Sequence, residues 1–302
     1  MTARQWASWL VFPVIMTGTM ALAIGLEPGL GSPVAAMVAE IVGVLAILAA
    51  EWKLPFRPQW NRSYGDVGTD VMHAFVSGIG TTQLARILVQ AGGIAVAGAL
   101  SRGFGAKLWP TGWPLLGQLT LALLIAELMQ YWLHRWQHER DFLWRFHAVH
   151  HSAPRLYWLN AARFHPVDLG MLYVVGYLPL VALGCPETVI MLFAVFDAVF
   201  GMLQHCNIDV RLGPLNWIFS MAEPHRWHHS KTVDEANTNY GSNLIVWDHL
   251  FGTFFLPSDR EPPVAIGIAN MPAFPSTYLA QLASPFRWRR LKREASPRAL
   301  AA

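Results

Sequence analysis

The sequence predicts an all-α integral membrane protein, a bundle of about four to six transmembrane or re-entrant helices beneath a histidine-rich helical cap on the cytoplasmic side. Three observations predict it. Of 302 residues, 54% are hydrophobic and 14% charged, where a soluble domain carries about a quarter charged residues. Several apolar runs approach the roughly 20 residues that a helix needs to cross the hydrocarbon core. The histidines gather in three clusters beside or beyond those runs instead of scattering. The two cysteines, Cys185 and Cys206, form neither a disulfide framework nor a Cys-x-x-Cys metal site, which points away from thiolate ligands.

The first span is the uncharged run 9 to 26. A secretory signal would have a shorter apolar core with a soluble chain after it. Glu27-Pro28-Gly29 reads as a turn, and 33 to 50 as a second span interrupted only by Glu40. An intramembrane acid is costly and faces protein or water; helix packing or snorkelling accounts for Glu40 at least as well as a part in catalysis. Residues 51 to 69 are polar, contain Pro55 and read as a loop. The apolar stretch 70 to 100, with His73, Arg86 and several glycines, is long for one straight span. A tilted helix, a broken helix and a tight hairpin all stay open, with Arg86 expected to face the bundle.

After a loop at 101 to 112, the run 113 to 133 leads straight into His134 with Glu127 and Tyr131 on the approach. Glu127 precedes His134 by seven residues and so lies close to the same helical face. It reads equally as an acceptor for a ligand imidazole and as an interfacial charge. The runs 166 to 183 and 187 to 204, joined by Gly184-Cys185-Pro186, read as a helical hairpin that need not cross fully, and His205 follows at once. No span follows. The tail from Pro285 carries Arg287, Arg289, Arg290, Lys292 and Arg293, which suit anionic lipid, and ends in an Ala-rich, disorder-like segment. The organisation is therefore 1–112, 113–255 and 256–302.

Lysine and arginine placement sets orientation. With the amino terminus inside, the inner segments hold Arg4, Lys53, Arg57, Arg62, the arginines at 135, 140, 145, 155 and 163, and everything after 205; the outer loops hold Arg102 and Lys107. Every histidine cluster then faces the cytoplasm. The formal charge of +3 matters less than this asymmetry.

The clusters are His134-Arg135-Trp136-Gln137-His138, then His147-Ala148-Val149-His150-His151, then His225-Arg226-Trp227-His228-His229. On a helix, positions i, i+3 and i+4 share a face, so each presents two or three imidazoles in one direction. Imidazole is the commonest metal ligand near neutral pH and suits iron, zinc, copper and nickel. Three converging clusters offer more nitrogens than one ion takes, which argues for two metals. His73 and His249 read better as hydrogen-bonded structural histidines.

This order of His-x-x-x-His, His-x-x-His-His and His-x-x-His-His, with apolar spans before the first and between the second and third, resembles the fatty acid hydroxylase and sterol desaturase superfamily of membrane di-iron oxygenases. The stretch Glu127 to His138 is similar too, although the family more often starts it with aspartate. Further matches are Arg163-Phe164-His165-Pro166, Gln204-His205-Cys206-Asn207, Asn239-Tyr240-Gly241, Trp247-Asp248 and Phe251-Gly252-Thr253, so the likeness covers about 115 to 255. It implies that 113–255 is the catalytic domain and that His134, His138, His147, His150, His151, His225, His228 and His229 are iron ligands. His205 and His165 look like the ligands that complete the site, His165 on the thinner ground that some relatives lack it.

The resemblance implies two iron ions, O2 as co-substrate and a lipid substrate drawn from the bilayer: a fatty acyl chain, a sterol or other isoprenoid, or an ether lipid, to be hydroxylated or desaturated. The short chain without a fused haem domain leans toward a bacterial sterol-desaturase-like type in the inner membrane. With no Gly-x-Gly-x-x-Gly and no His-Pro-Gly-Gly, electrons are expected from a separate ferredoxin- or cytochrome-type protein and its reductase docking on the arginine-bearing face. No nucleic-acid partner is expected. Three rival readings stand beside it: a membrane zinc hydrolase, whose His-Glu-x-x-His is absent; a metal transporter or store, whose site belongs near the bilayer midplane; and a non-catalytic, metal-binding member of the same fold.

Overall fold

The computed structural model describes residues 1–104 and 108–295, and all regular structure within them is helical apart from three isolated β-bridges. Lys107 and the Ala-rich end of the tail lie outside the described residues. The first hairpin is α1 (Ala3–Leu30) and α2 (Ser32–Lys53). The turn expected at Glu27-Pro28-Gly29 lies inside α1; the reversal comes at Gly31, with φ +77°, a conformation glycine adopts without steric cost. The Glu27 carboxylate instead accepts from Ser32 Oγ at 3.1 Å and Thr188 Oγ1 at 2.6 Å, joining the hairpin to a later helix.

The ambiguous stretch 70 to 100 is one continuous span from Val67 to Leu100, built of α3 (Val67–Met72), a π-helical turn at His73–Gly78 and α4 (Ile79–Phe104). Arg86, expected to face the bundle, is exposed. The inward face of α4 is taken by Ala85, Val89 and Gly93, and a Cβ on Gly93 would lie 2.5 Å from Val181 Cγ1. That packing leaves no room for a guanidinium, whose long stem can reach away instead.

Then come α5 (Leu115–Glu139), α6 (Asp141–His151), α7 (Pro166–Ala182) and α8 (Glu187–His205), the last two forming the expected hairpin with Gly184 at φ +81°. Helix α8 is the axis of the bundle: 61% of its most apolar window is buried, against 17% for the α3–α4 span, whose outer face suits lipid. A Cβ on Gly43 would lie 3.0 Å from both Val199 Cγ2 of α8 and Thr19 Cγ2 of α1, so the missing side chain lets α2 close in. With five helices long and apolar enough to cross a bilayer, this is an all-helical, multi-pass membrane protein.

The cap holds α6 and the short helices α9 (Ala222–His228), α10 (Val233–Ala236), α11 (Val246–Phe251), α12 (Tyr278–Ala283) and α13 (Trp288–Glu294). Residues 256–295 fold back onto it. Trp288 is buried in a cluster with Ala148 and Met271, and its Nε1 donates to Asp141 at 3.1 Å.

Beneath the cap lies a layer of buried charge. Arg155 donates to Asp66 through Nε at 2.8 Å and Nη2 at 3.1 Å, and Asp70 accepts from Arg163 Nε and, at 2.6 Å, from Tyr157 Oη. Glu51 accepts the backbone N–H groups of Trp158 and Asn207, each at 2.8 Å. Removing one partner of a buried pair strands the other, at about 3–5 kcal/mol. Asp70→Ala is therefore expected to lower the unfolding temperature in detergent far more than Asp209→Ala at the exposed ion pair with Arg4; equal effects would contradict this layer's role.

Candidate metal centre

Helix ends bring the histidines together. The last turns of α5 supply His134 and His138, the second half of α6 His147, His150 and His151, the end of α8 His205, and α9 with its C-cap His225, His228 and His229. They form two groups, each with its ligand nitrogens within 4.8 Å of one another: His134, His138, His147, His151 and His228; and His150, His205, His225 and His229. The groups adjoin, with the rings of His151 and His229 stacked at 4.4 Å.

An outer layer sets the tautomers. His134 Nδ1 donates to Tyr240 O at 2.7 Å, His228 Nδ1 to Thr238 O at 2.7 Å and His150 Nδ1 to Arg163 O at 3.3 Å. His147 Nδ1 donates to the Asp168 carboxylate at 2.9 Å, His205 Nδ1 to Asn160 Oδ1 at 3.0 Å and His138 Nδ1 to Asn237 Oδ1 at 3.2 Å. A neutral imidazole has one proton, so these six rings turn an Nε2 lone pair inward. His134 Nε2 and His147 Nε2 face each other at 3.1 Å, two lone pairs that repel unless a cation takes both. Nε2 of His138, His151 and His228 and Nδ1 of His225 and His229 are buried without partners among the described residues. This donor set fits two imidazole-bound metal ions.

The loop motifs hold that layer in place. Asp248 accepts from the N–H groups of Tyr240 at 2.7 Å and Gly241 at 2.8 Å and from Thr253 Oγ1 at 2.7 Å, presenting Tyr240 O to His134. A Cβ on Gly241 would fall 2.2 Å from Leu244 O, so this close turn requires glycine. Glu127, read either as an imidazole acceptor or as an interfacial charge, is neither; fully buried, it accepts from the N–H groups of Ser242 at 3.1 Å and Asn243 at 2.9 Å.

His165 is not brought to the clusters. Its Nδ1 caps α7, accepting from Val167 N–H at 3.1 Å, and its Nε2 donates to Leu282 O at 3.2 Å, so both nitrogens are used. His205 is brought in. His73 and His249 lie outside the clusters: His73 bonds Phe164 O at 3.0 Å and Gln281 Oε1 at 2.8 Å as a structural histidine, whereas His249, expected to be hydrogen-bonded, stacks on Trp217 at 4.6 Å with its Nε2 unpartnered among the described residues. The sequence reading missed Asp168, Asn160, Asn237 and Asp197. For Asp168 and Asp197 a signal existed, an acid inside an apolar run, which faces protein or water.

Two cavities reach the histidines. One, of about 410 Å³, opens among α2, α4, α5, α7 and α8 and touches His134 and His147 of one group and His150, His205 and His225 of the other. The second, of about 370 Å³, lies in the cap and is lined by His138, His151, Trp144, Trp288, Lys231 and Lys292 among others.

The fatty acid hydroxylase family model matches residues 119–253. Ornithine lipid hydroxylase OlsE of Rhizobium tropici is 42% identical over 250 residues, covering 81% of this chain and 74% of that protein. Alkylglycerol monooxygenase of Danio rerio is 32% identical over 183 residues, 60% of this chain and 39% of its own length. Methylsterol monooxygenase 1 of Rattus norvegicus is 28% identical over 136 residues, 43% of this chain and 44% of its own length. The chain thus spans less than half of the latter two. No solved structure matches.

Burial, and then repulsion from neighbouring rings, holds His147, His151, His225 and His229 well below the ordinary value of 6.5. They are neutral in the fold, while the unfolded chain takes up protons below about pH 6.5. Below that pH the unfolded state binds more protons, so stability falls with acidity. Metal-free protein is expected to show a flat unfolding temperature above pH 7 and a steady loss from about pH 6.5 to 5; a flat profile down to pH 5 would contradict burial of neutral rings.

Proposed function

The chain belongs to the fatty acid hydroxylase family, and from that premise we propose that it is an iron-dependent lipid oxygenase that hydroxylates a C–H bond of a membrane lipid. The observation that carries the reading is the pair of adjoining imidazole groups, with lone pairs turned inward, opening on a cavity walled by membrane-spanning helices. Held by these nine histidines, two iron ions would supply the reductive activation of O2 that redox-inactive zinc does not.

The chain's own part is to position and to seal. A lipid entering from the bilayer would lay its apolar portion against Phe164, Leu169, Leu172 and Ala198, with one carbon held beside His134, His147 and His150. Phe164, stacked on His150 at 4.2 Å, shields that ring from water. Asp168, fixed by Gln137 Nε2, holds the His147 ring and strengthens its basicity. Hydroxylation is favoured over desaturation because the named relatives are hydroxylases and monooxygenases, and a polar lipid of the ornithine type is the substrate suggested by the relative that aligns over most of its length.

Electrons would come from a separate ferredoxin- or cytochrome-type protein and its reductase. Trp144 lies 5.2 Å from the His138 ring and 5.4 Å from His151 at the cap cavity, beside a face bearing Arg145, Arg287, Arg289 and Arg290. Such a face suits an acidic carrier. The lysine and arginine distribution supports a cytoplasmic position for this face, with a bacterial inner membrane as the setting.

Iron-loaded protein given reductant, 18O2 and bacterial lipid extract is expected to yield a lipid bearing one 18O atom; label arriving from water instead would support a hydrolase. His205→Ala is expected to lose one metal per chain, whereas His165→Asn, which can still cap α7, keeps both. Loss of metal from the His165 variant would restore it to the ligand set. Asp168→Asn should weaken iron binding by roughly 10- to 100-fold, measured by chelator competition.

A further inference from the structure

The cavity among the spans has a polar wall that the metal centre does not use. Glu40 of α2 and Asp197 of α8 both line it. No lysine or arginine lines the cavity, and among the described residues neither acid forms an ion pair. Two carboxylates facing one apolar cavity without a cation are mutually repulsive and poorly solvated.

A second observation is independent of the acids. Asn243 lines the same cavity with 1% of its surface exposed. Its Nδ2 donates to Asp197 Oδ1 at 2.8 Å and to Glu127, and because carboxylates only accept, the amide orientation is fixed. Its Oδ1 is buried and has no partner among the described residues. Gln130, on the same wall and 5% exposed, likewise has an unpartnered Oε1. The wall therefore offers two carboxyl groups and spare acceptors together. A primary ammonium, with three donors and one positive charge, matches it.

We propose that Glu40, Asp197 and Asn243 receive the amine of the substrate's headgroup, so that the enzyme selects aminoacyl lipids over neutral and anionic ones. This rests on the lipid-oxygenase reading for its substrate, while the recognition itself is a binding property of the metal-free chain. The same wall offers no lysine or arginine to a phosphate-bearing headgroup, so selectivity comes from exclusion as well as attraction. The cavity also touches both histidine groups, which places a carbon near the amine within reach of the metal centre.

The test compares an ornithine-headgroup lipid having a free side-chain amine with the same lipid acetylated at that amine, each titrated into the full-length protein in detergent and read by native mass spectrometry. The free amine is expected to bind roughly 30-fold tighter, about 2 kcal/mol, since acetylation strands the acids that would pair with it. Asp197→Asn and Glu40→Gln should each bring the ratio toward one. Glu40 makes no hydrogen bond to another described residue that its loss would break, so Glu40→Gln tests charge alone if the Asp197 variant does not fold. A ratio near one in the unsubstituted protein, or a ratio kept in both variants, overturns the assignment. Amine preference without oxygen incorporation overturns the oxygenase reading and leaves the assignment standing; equal oxidation of both lipids does the reverse.

Discussion

Nine imidazole rings, eight buried and His138 half-buried, crowd between two cavities, and the surrounding structure answers the need to keep them neutral and facing inward. Burial disfavours protonation and close rings disfavour it further, so each ring has one proton to place. Six of them place it on Nδ1, against a carbonyl, amide or carboxylate acceptor in the outer layer. The inward lone pairs then repel one another until cations take them up. A site held in that state without metal has to be supported from outside, because an unsatisfied buried polar network is costly.

The support reaches well beyond the clusters. Arg163, whose carbonyl accepts from His150, is itself held by Asp70 at the start of the third span; Asn160, which accepts from His205, donates Nδ2 to Arg155 O, and Arg155 is tied to Asp66. On the other side, Asp248 and Glu127 fix the 240–243 turn that serves His134. The segments joined are far apart in sequence and come from membrane helices as well as the cap. Rigid elements hold ligands within tighter limits than loops can, and here the loops that carry acceptors are each pinned by a buried carboxylate.

Much of this was legible because it is local. Apolar runs located the spans, Gly184 the hairpin, and i, i+3, i+4 spacing the faces of the histidine clusters. What the sequence did not show depended on tertiary contacts. His165 and His205 both sit at helix ends, but His165 precedes Pro166, a helix-opening pair in which the ring folds back to cap α7. Pro28 suggested a turn, yet α1 runs on to Gly31. Trp288 and Gln281 dock the carboxy-terminal segment through contacts to residues far away in sequence, which leave no local pattern. Glu40 was visible as an intramembrane acid, whereas its partner Asp197, in an equally apolar run, gained meaning only once the two helices lined one cavity.

The central claim is that the two histidine groups hold two redox-active metals. The most direct measurement is elemental analysis with Mössbauer spectroscopy on protein purified anaerobically in detergent after growth on 57Fe. The account predicts two irons per chain in two distinguishable environments, since one group offers five imidazoles and the other four. Zinc alone with no iron uptake, or a single metal per chain, would contradict it.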